Sequence, residues 1–285
     1  MIAKDKVFWK KKILNTGGKV KALDHPLIMG IINITPDSFF SGSRSREIED
    51  TLIKARQHNE NGADILDLGG YSTRPGADEV SIDEELERVI PAVEKIAEEF
   101  PDITISIDTF RSQVAARAIE AGAHMVNDVS GGTLDENMFD TIAHYRVPYI
   151  LMHMRGDPKT MTQKTEYNNV VQDVISVLQT KLFDLEKRGV GDVIIDPGFG
   201  FAKTVEQNFE LLSNLQAFQI LERPILAGLS RKSMIWRTLK VKPEDALNGT
   251  TALNSMALLK GANILRVHDV KETKEIIQLF KFINN

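Results

Sequence analysis

The sequence contains no cysteine among its 285 residues. A chain without thiols has no disulfide framework, no thiolate nucleophile and no cysteine-ligated zinc, so we expect an intracellular, cytoplasmic protein. It also lacks an excess of positive charge. Its formal net charge of -5 argues against a broad surface for nucleic acid or anionic membranes. Its longest apolar runs are far shorter than a membrane span, so we expect neither nucleic acid nor a membrane as a partner.

The N-terminus lacks the features of a targeting signal. Its first twelve residues carry five lysines but no arginine and no long apolar stretch, which predicts a solvated basic arm. In residues 13–25, Gly17 and Gly18 separate two partly alternating apolar segments, and this predicts a hairpin that plugs or flanks the main domain. We assign 1–26 to this arm and hairpin, and 27–285 to one domain.

Beyond the hairpin one unit repeats, consisting of a short apolar strand, a polar loop and an amphipathic helix. We predict strands at 27–33, 64–69, 103–108, 124–128, 148–153, 192–196, 223–228 and 263–267. We predict helices at 46–61, 83–100, 111–121, 134–145, 166–188, 205–218, 243–260 and 270–283. Eight alternations predict an α/β fold, a single (β/α)8 TIM barrel with an N-terminal β-hairpin extension; an open doubly wound sheet is the alternative.

The first barrel strand shows where chemistry is expected. The apolar run that ends at Ile32 turns polar abruptly at Asn33, which fits either a functional loop or an ordinary strand-to-helix connection. Barrel enzymes carry their functional side chains at the carboxyl ends of the strands. Polar residues at the predicted strand ends are Asn33, Asp67, Asp108, Asn127, Asp128, His153, Asp196, Ser230, Arg231, Lys232, Arg266 and His268. Such groups are costly to bury unless they pair or bind a ligand, so they predict a polar binding funnel.

Seven ordered motifs carry a family resemblance. They are NITPDSF at 33–39, GGYSTRPGA at 69–77, SIDTFR at 106–111, NDVSGG at 127–132, DPGFGF at 196–201, GLSRKS at 228–233 and RVHDV at 266–270. Together they resemble the dihydropteroate synthases. The chain departs from that pattern at Tyr71, where the family often has an acidic residue, and at residues 40–43.

The resemblance implies a transferase of folate biosynthesis. Such enzymes join (7,8-dihydropterin-6-yl)methyl diphosphate to 4-aminobenzoate, release diphosphate and form 7,8-dihydropteroate; they are the target of sulfonamides. We expect a dissociative reaction, in which diphosphate leaves before the arylamine attacks. Mg²⁺ is expected because it takes oxygen ligands and bridges phosphates.

The resemblance also implies roles for single residues. The pterin site would include Asp108, Asn127, Met152, Asp196, Phe201, Gly228 and Lys232. The aminobenzoate site would include Thr73, Arg74, Pro75 and Ser233. Arg266 and His268, two apart on one strand, would face diphosphate, and Asn33 would bind Mg²⁺. Asp108, Lys232, Arg266 and Asn33 are the predicted catalytic set, with Asp108 as the anion that stabilises a pterin cation.

Other interpretations remain open at this point. A methyltetrahydrofolate methyltransferase domain would share the inward Asp/Asn/Asp set, and a pterin-binding barrel without catalysis would also fit. His153, between Met152 and Met154, is interpreted as structural. Helix 243–260 has many small and apolar residues; they fit either barrel packing or the face of a homodimer, which the resemblance implies.

Overall fold

The computed structural model describes residues 13–16, 19–34, 44–72 and 79–284. The predicted basic arm at 1–12 and the predicted site residues Thr73, Arg74 and Pro75 lie outside these ranges. Strands β1 (Ile13–Thr16) and β2 (Lys19–Ala22) pair antiparallel, which confirms the hairpin. The strands of the main sheet are β3 (Leu27–Asn33), β4 (Ile65–Gly69), β5 (Thr104–Asp108), β6 (Met125–Asp128), β7 (Tyr149–Met152), β8 (Val193–Asp196), β9 (Leu226–Ala227) and β10 (Ile264–Val267).

The main sheet closes into a barrel. Its eight strands are parallel, in the order β8-β7-β6-β5-β4-β3-β10-β9. The two outer strands of this order meet through a bridge between Ile195 and Ile225, and the Ile195 N–H donates to the Pro224 carbonyl at 2.8 Å. The barrel prediction is therefore confirmed and the open sheet is wrong. Seven predicted strands match within one residue at each end, whereas the predicted strand 223–228 is regular only at Leu226–Ala227.

Helices surround the barrel and follow the predicted order. They are α1 (Arg44–Glu60), α2 (Ile82–Glu99), α3 (Ser112–Glu120), α4 (Met138–Tyr145), α5 (Val170–Lys187), α6 (Val205–Ser213), α7 (Ser233–Leu239), α8 (Leu247–Leu259) and α9 (Val270–Asn284). The predicted helix 205–218 is shorter, because α6 ends at Ser213 and a 3₁₀ helix, Leu215–Leu221, follows. Helix α7 was not among the predicted helices; its seven residues are too few for a clear helical period.

Apolar side chains form one layer on each side of the strands, because successive strand residues face opposite sides. The outer layer, which includes Ile32, Leu68 and Ile107, packs against the helices. The inner layer closes the floor of the barrel and consists of Leu14, Leu23, Leu27, Met29, Ile65, Met125, Ile150, Ile194, Leu226 and Ile264. Because Leu14 comes from β1, the hairpin plugs the amino-terminal end of the barrel.

No helix in the described ranges has both the length and the apolar content needed to cross a membrane.

Candidate active site

The inner surface of the barrel changes from apolar to polar towards the carboxyl ends of the strands. Above the apolar floor lie Asp67 on β4, Asp108 on β5, Asn127 on β6, Asp196 on β8 and Arg266 on β10. Strand pairing sets Asp108 beside Asn127 and Met152 beside Asp196. The sheet thus brings predicted site residues from distant parts of the chain to one end of the barrel, where barrel enzymes place their active sites.

Arg266 is held by two carboxylates. Its Nε donates to Asp67 Oδ2 at 2.6 Å, and its Nη2 donates to Asp108 Oδ2 at 2.5 Å. The same Asp67 oxygen accepts from Asn127 Nδ2 at 3.0 Å. Asp67 is fully buried, and a buried carboxylate is destabilising unless such partners surround it. Two acids thereby fix the Arg266 guanidinium as a rigid, permanently charged group.

Burial and neighbouring charge shift the acid–base properties of this cluster. Burial raises the pKa of Asp108 to about 7, although Arg266 favours its carboxylate form. Burial alone would lower the pKa of Arg266, but Asp67 and Asp108 together keep it above its usual value. Arg266 therefore stays charged at every accessible pH, whereas Asp108 changes charge near neutrality.

A second charged group lies on the other side of Gly228. Lys232 Nζ donates to the Phe199 carbonyl and lies 4.9 Å from the centroid of the Phe201 ring. Burial lowers the pKa of Lys232 to about 8, while the Asp196 charge opposes this shift. Burial raises the pKa of Asp196, and Lys232 opposes that shift in turn. Each of these two groups thus favours the charged form of the other.

Gly228 keeps space between the two cations. A Cβ atom added there would stand 3.6 Å from Lys232 Nζ and 3.9 Å from Arg266 Cβ. It would therefore occupy the volume through which a ligand could contact both side chains. A hydrogen atom at this position leaves that volume open.

An apolar wall borders the charged groups. It consists of Val129, Met152, Met154, Met161 and Ala202, with Phe110 and Phe201 packed against them. Met152 and Phe201, two predicted pterin contacts, belong to this single cluster. Thioether and aromatic groups suit the face of a flat ring, so the wall and the charged groups together can hold a planar ligand with a polar edge.

His268 directly follows β10, and Ser233 lies beyond the end of β9. Ser230 Oγ accepts from the His268 backbone N–H at 3.2 Å and lies 3.0 Å from His268 Nδ1. If the Ser230 hydroxyl donates to Nδ1, a neutral His268 carries its proton on Nε2 and can donate it to an anion. Ser233 begins α7 directly after Lys232, so its hydroxyl lies near the same rim.

Asn33 ends β3 with an exposed side chain. Within the described ranges no group of three or more histidine or acidic residues could hold a metal ion. Mg²⁺ commonly keeps several waters and takes other ligands from substrate phosphates. The Asn33 amide oxygen therefore fits a Mg²⁺ ion shared with a phosphate ligand, but these residues do not fit a metal cage made of protein groups alone.

Two members of the predicted polar funnel point elsewhere. Asp128 accepts from the Tyr149 hydroxyl at 2.7 Å and from the backbone N–H groups of Ser130 and Gly132, and Tyr149 belongs to the outer layer. Arg231 forms a double hydrogen bond with Asp269, at 3.0 and 2.6 Å. Both residues anchor loops, and the funnel is smaller than predicted.

His153 is buried among backbone and lysine contacts. Its Nδ1 lies 3.1 Å from Lys203 Nζ, and burial, reinforced by the Lys203 charge, lowers its pKa to about 2. A histidine that stays neutral at physiological pH and is fully buried cannot exchange protons with a substrate. These contacts give His153 a structural position.

Asp67 had no predicted role, although it is one of the polar residues of the predicted strands. The signal in the sequence is a carboxylate within an otherwise apolar strand, and the structure shows that Asp67 shares its strand face with Ile65, an inner-layer residue. A carboxylate on the inner face of a barrel needs a cationic partner, and Arg266 is that partner.

A buried ion pair joins α2 to the loop after β5. Arg111 Nη1 donates to Glu85 Oε2 at 2.7 Å, and Arg111 Nη2 donates to the Val80 carbonyl at 2.6 Å. Tyr71 packs edge-on against Phe110 at 5.2 Å, and the Arg111 guanidinium lies 5.2 Å from the Tyr71 ring centroid. Where the family often has an acid, this chain thus packs an aromatic ring against a cation.

Comparison with known proteins identifies the family of this barrel. The family model described as "Pterin binding enzyme" matches residues 29–268. The dihydropteroate synthase of Escherichia coli K12 is 42% identical over 259 residues, which cover 90% of this chain and 91% of that protein.

Two solved structures share the fold. That of Xanthomonas albilineans dihydropteroate synthase with 4-aminobenzoic acid has a TM-score of 0.88 and 38% identity, and covers 96% of this chain and 99% of that one. A Yersinia pestis dihydropteroate synthase in complex with a sulfonamide drug has a TM-score of 0.90 and 38% identity, and covers 95% of this chain and 99% of that one. The chain therefore belongs to the dihydropteroate synthase family, the transferases of folate biosynthesis.

Proposed function

We propose that the chain condenses (7,8-dihydropterin-6-yl)methyl diphosphate with 4-aminobenzoate by a dissociative route. Diphosphate is released and 7,8-dihydropteroate is formed. The observation that carries this proposal is the contact of Arg266 with Asp67 and Asp108 beside the Lys232–Asp196 pair. This arrangement provides fixed cations that can bind the leaving diphosphate and carboxylates that can bind the nitrogen-rich pterin ring.

The pterin ring would lie between the apolar wall and the charged groups. Asp196 accepts hydrogen bonds from the aminopyrimidine edge, and the Asn127 amide can accept and donate there. Lys232 donates to the ring oxygen. Met152 and Phe201 contact the faces of the ring, and Gly228 leaves room for it. Each polar group of the ring then gains a buried partner of complementary type, which is the source of specificity in such sites.

Diphosphate would bind at the β10 side of the mouth. Arg266 and His268 donate to its oxygens, and Asn33 would hold a Mg²⁺ ion together with them. When bound, Mg²⁺ neutralises charge on the leaving diphosphate. Arg266 acts in the same direction, and its position is fixed before substrate arrives, so little reorganisation is needed.

The bond from the methylene carbon to the diphosphate oxygen breaks, and its electron pair leaves with diphosphate. The carbon becomes a cation delocalised into the pterin ring, and the Asp108 carboxylate stabilises it electrostatically. The arylamine nitrogen then donates its lone pair to this carbon to form the new bond, and releases a proton to solvent. The protein supplies no nucleophile in this scheme.

4-Aminobenzoate would bind at the outer rim. Ser233 would take its carboxylate through the hydroxyl and the backbone N–H, while Thr73, Arg74 and Pro75 would border its ring. These three residues lie outside the described ranges, so their part in the site remains a prediction from the motif.

One assay tests the function directly. Purified protein is mixed with Mg²⁺, the pterin diphosphate and 4-aminobenzoate, and diphosphate and dihydropteroate are measured together. We expect equal amounts of both products. Pterin binding with no diphosphate release would contradict the proposal and favour a methyltransferase or a binding protein. A dissociative route further predicts similar turnover for aminobenzoates of different amine basicity, because the amine acts after the slow step.

We further propose that the enzyme is a homodimer that works in the cytoplasm. Helix α8 exposes Met256 and Leu259, and α9 exposes Leu279, Phe282 and Ile283. A second copy of the chain would cover this apolar face, and light scattering should report twice the mass of one chain. Replacing Leu279 and Phe282 with glutamate should yield monomers.

The diphosphate substrate is a polyanion that does not cross lipid unaided, which supports the cytoplasmic location.

A further inference from the structure

Two lysines hold the carbonyl groups of one loop. The loop connects β8 to α6 and spans residues 197–204. Lys232, which follows β9, donates to the Phe199 carbonyl. Lys203, at the far end of the loop itself, donates to the carbonyls of Gly198 and Phe201, each at 2.9 Å. Three carbonyls within four residues are therefore bound by ammonium groups.

Lys203 has no hydrogen-bonding capacity left for a substrate. Its ammonium carries three N–H groups, and these face Gly198 O, Phe201 O and His153 Nδ1, the last at 3.1 Å. Its side chain is buried, with the residue only 9% exposed. Because His153 is neutral, its Nδ1 can accept from Lys203. The position of Lys203 is thus defined by three contacts that belong to the protein.

The loop has a conformation that needs such support. Gly198 lies so close to the His153 carbonyl that an added Cβ would approach its oxygen to 2.0 Å, and Ala202 has a φ of 51°, which side-chain-bearing residues rarely adopt. Gly200 N–H donates to Asn208 Oδ1 at 2.6 Å. Contacts along the whole loop therefore keep it in one conformation, and those of Lys203 reach two of its residues.

We propose that Lys203 is a positioning residue for the substrate site, which holds the carbonyls of Gly198 and Phe201 and so sets Phe201 and Phe199 against Lys232. The proposal rests on the proposed function, because Lys232 and Phe201 are its pterin contacts. Lys203 itself touches no substrate. Its removal would let the loop shift, and both the Phe201 ring and the acceptor of Lys232 would move with it.

Lys203 also influences the charge of the site. The ionisable groups that face it are His153 on β7, Arg155 after β7, Asp196 on β8 and Lys232. Burial lowers the pKa of Lys203 to about 7, and Asp196 opposes this shift. With a pKa of about 7, Lys203 loses its charge below the pH at which Lys232, with a pKa of about 8, loses its own, so the two cations repel each other mainly on the acid side of neutrality.

The test compares Lys203→Met with Lys181→Met. Lys181 on α5 is a partly buried lysine that also donates to a loop carbonyl, that of Ser130 at 3.2 Å, and burial lowers its pKa to about 8. It faces Asp128, outside the barrel, and not Asp196. We measure thermal unfolding, and kcat and KM for the pterin diphosphate.

We expect Lys203→Met to lower kcat/KM for the pterin diphosphate roughly ten- to hundredfold, mainly through a higher KM, because Phe201 and Lys232 are the pterin contacts that it positions. Lys181→Met should lose thermal stability but keep the wild-type kcat and KM. Equal effects of the two substitutions, or an unchanged KM in Lys203→Met, would overturn the proposal.

Lys203→Gln serves where the Met variant fails to fold. It keeps an N–H donor for one carbonyl and loses the other contacts, so its KM for the pterin diphosphate should also rise; an unchanged KM would overturn the proposal in the same way. An inactive wild-type protein would instead contradict the proposed function, and that result is known before any variant is made.

Discussion

The two sides of the barrel mouth bury their cations in different ways. On the β10 side Arg266 is bound by the carboxylates of Asp67 and Asp108. On the β8 side Lys203 and Lys232 are bound mainly by backbone carbonyls. The pKa of Arg266 is raised above its usual value, whereas burial lowers that of Lys232 to about 8 and that of Lys203 to about 7.

The difference shows what a buried charge requires. A carboxylate partner offsets the loss of hydration by direct attraction, whereas a neutral carbonyl offsets it only in part. The β10 side therefore keeps a permanent positive charge, which suits a leaving diphosphate. The β8 side can change its charge near neutral pH, which makes pterin binding sensitive to protonation.

Removing Asp67 should have the largest effect on stability. Asp67→Ala leaves Arg266 with one carboxylate and Asn127 Nδ2 without its acceptor, so the free energy of unfolding should fall by about 3 kcal/mol or more. Lys232→Met frees a neutral carbonyl and removes one of the charges that favour the Asp196 carboxylate, but Lys203 and Arg266 still support that carboxylate, so it should cost less. Urea unfolding of both variants measures this contrast, and equal losses would break the comparison.

Asp108→Asn should have the largest effect on turnover. The change keeps the shape of the side chain and removes its charge, which matters most when the pterin cation develops. We expect kcat to fall roughly hundredfold or more, with a much smaller change in pterin affinity. Single-turnover kinetics and calorimetry separate the two quantities. A parallel loss in both would make Asp108 a binding residue only.

Asp196→Ala tests the other side through binding. The variant loses the carboxylate that faces the pterin edge and the charge that supports Lys232. The expected loss, a few kcal/mol, would weaken pterin affinity by roughly a hundredfold while the fold stays intact. Calorimetry with a non-reactive pterin gives the affinity, and circular dichroism checks the fold. Near-normal affinity in the folded variant would refute this role.

The pH profile of kcat/KM should show the titration of a group from each side of the barrel mouth, Asp108 and Lys232. Below about pH 7 Asp108 gains a proton and loses its charge, and above about pH 8 Lys232 loses its proton. Activity should therefore fall on both sides of a narrow optimum between these values. Arg266 adds no limb. Asp108→Asn should remove the acid limb, and a retained acid limb would assign it to another group.

His153 should produce the smallest effect, visible in acid. Its pKa is about 2 in the folded protein and about 6.5 in an unfolded chain. As the pH falls below 6.5, the unfolded chain gains a proton that the folded protein refuses, so this group lowers stability by at most about 1.4 kcal/mol per pH unit. His153→Gln should flatten the dependence of the unfolding free energy on pH. A slope equal to that of the wild-type protein would refute this effect.

The sequence by itself determined the barrel and the chemistry at its mouth. Eight apolar strands alternating with amphipathic helices allow few arrangements that bury both faces of a parallel sheet. Because the strands are parallel, the polar residues at their carboxyl ends had to meet at one end of the barrel. The start of α2 was also predictable, because Ser81 followed three residues later by Glu84 is the pattern of a helix N-terminus. In the structure the Ser81 hydroxyl accepts from the Glu84 N–H at 3.1 Å.

Only the tertiary structure decided which polar residues face inward. Asn127 and Asp128 are neighbours at the end of β6, yet Asn127 joins the Arg266 cluster and Asp128 lies among the outer-layer contacts. In a strand buried on both faces, apolar residues occupy both faces. The sequence therefore shows that successive residues face opposite sides, but it does not show which side lines the barrel. The contacts of Lys203 depended on the conformation of a loop, which is set by long-range contacts such as the close approach of Gly198 to the His153 carbonyl. Local sequence cannot specify contacts of that kind.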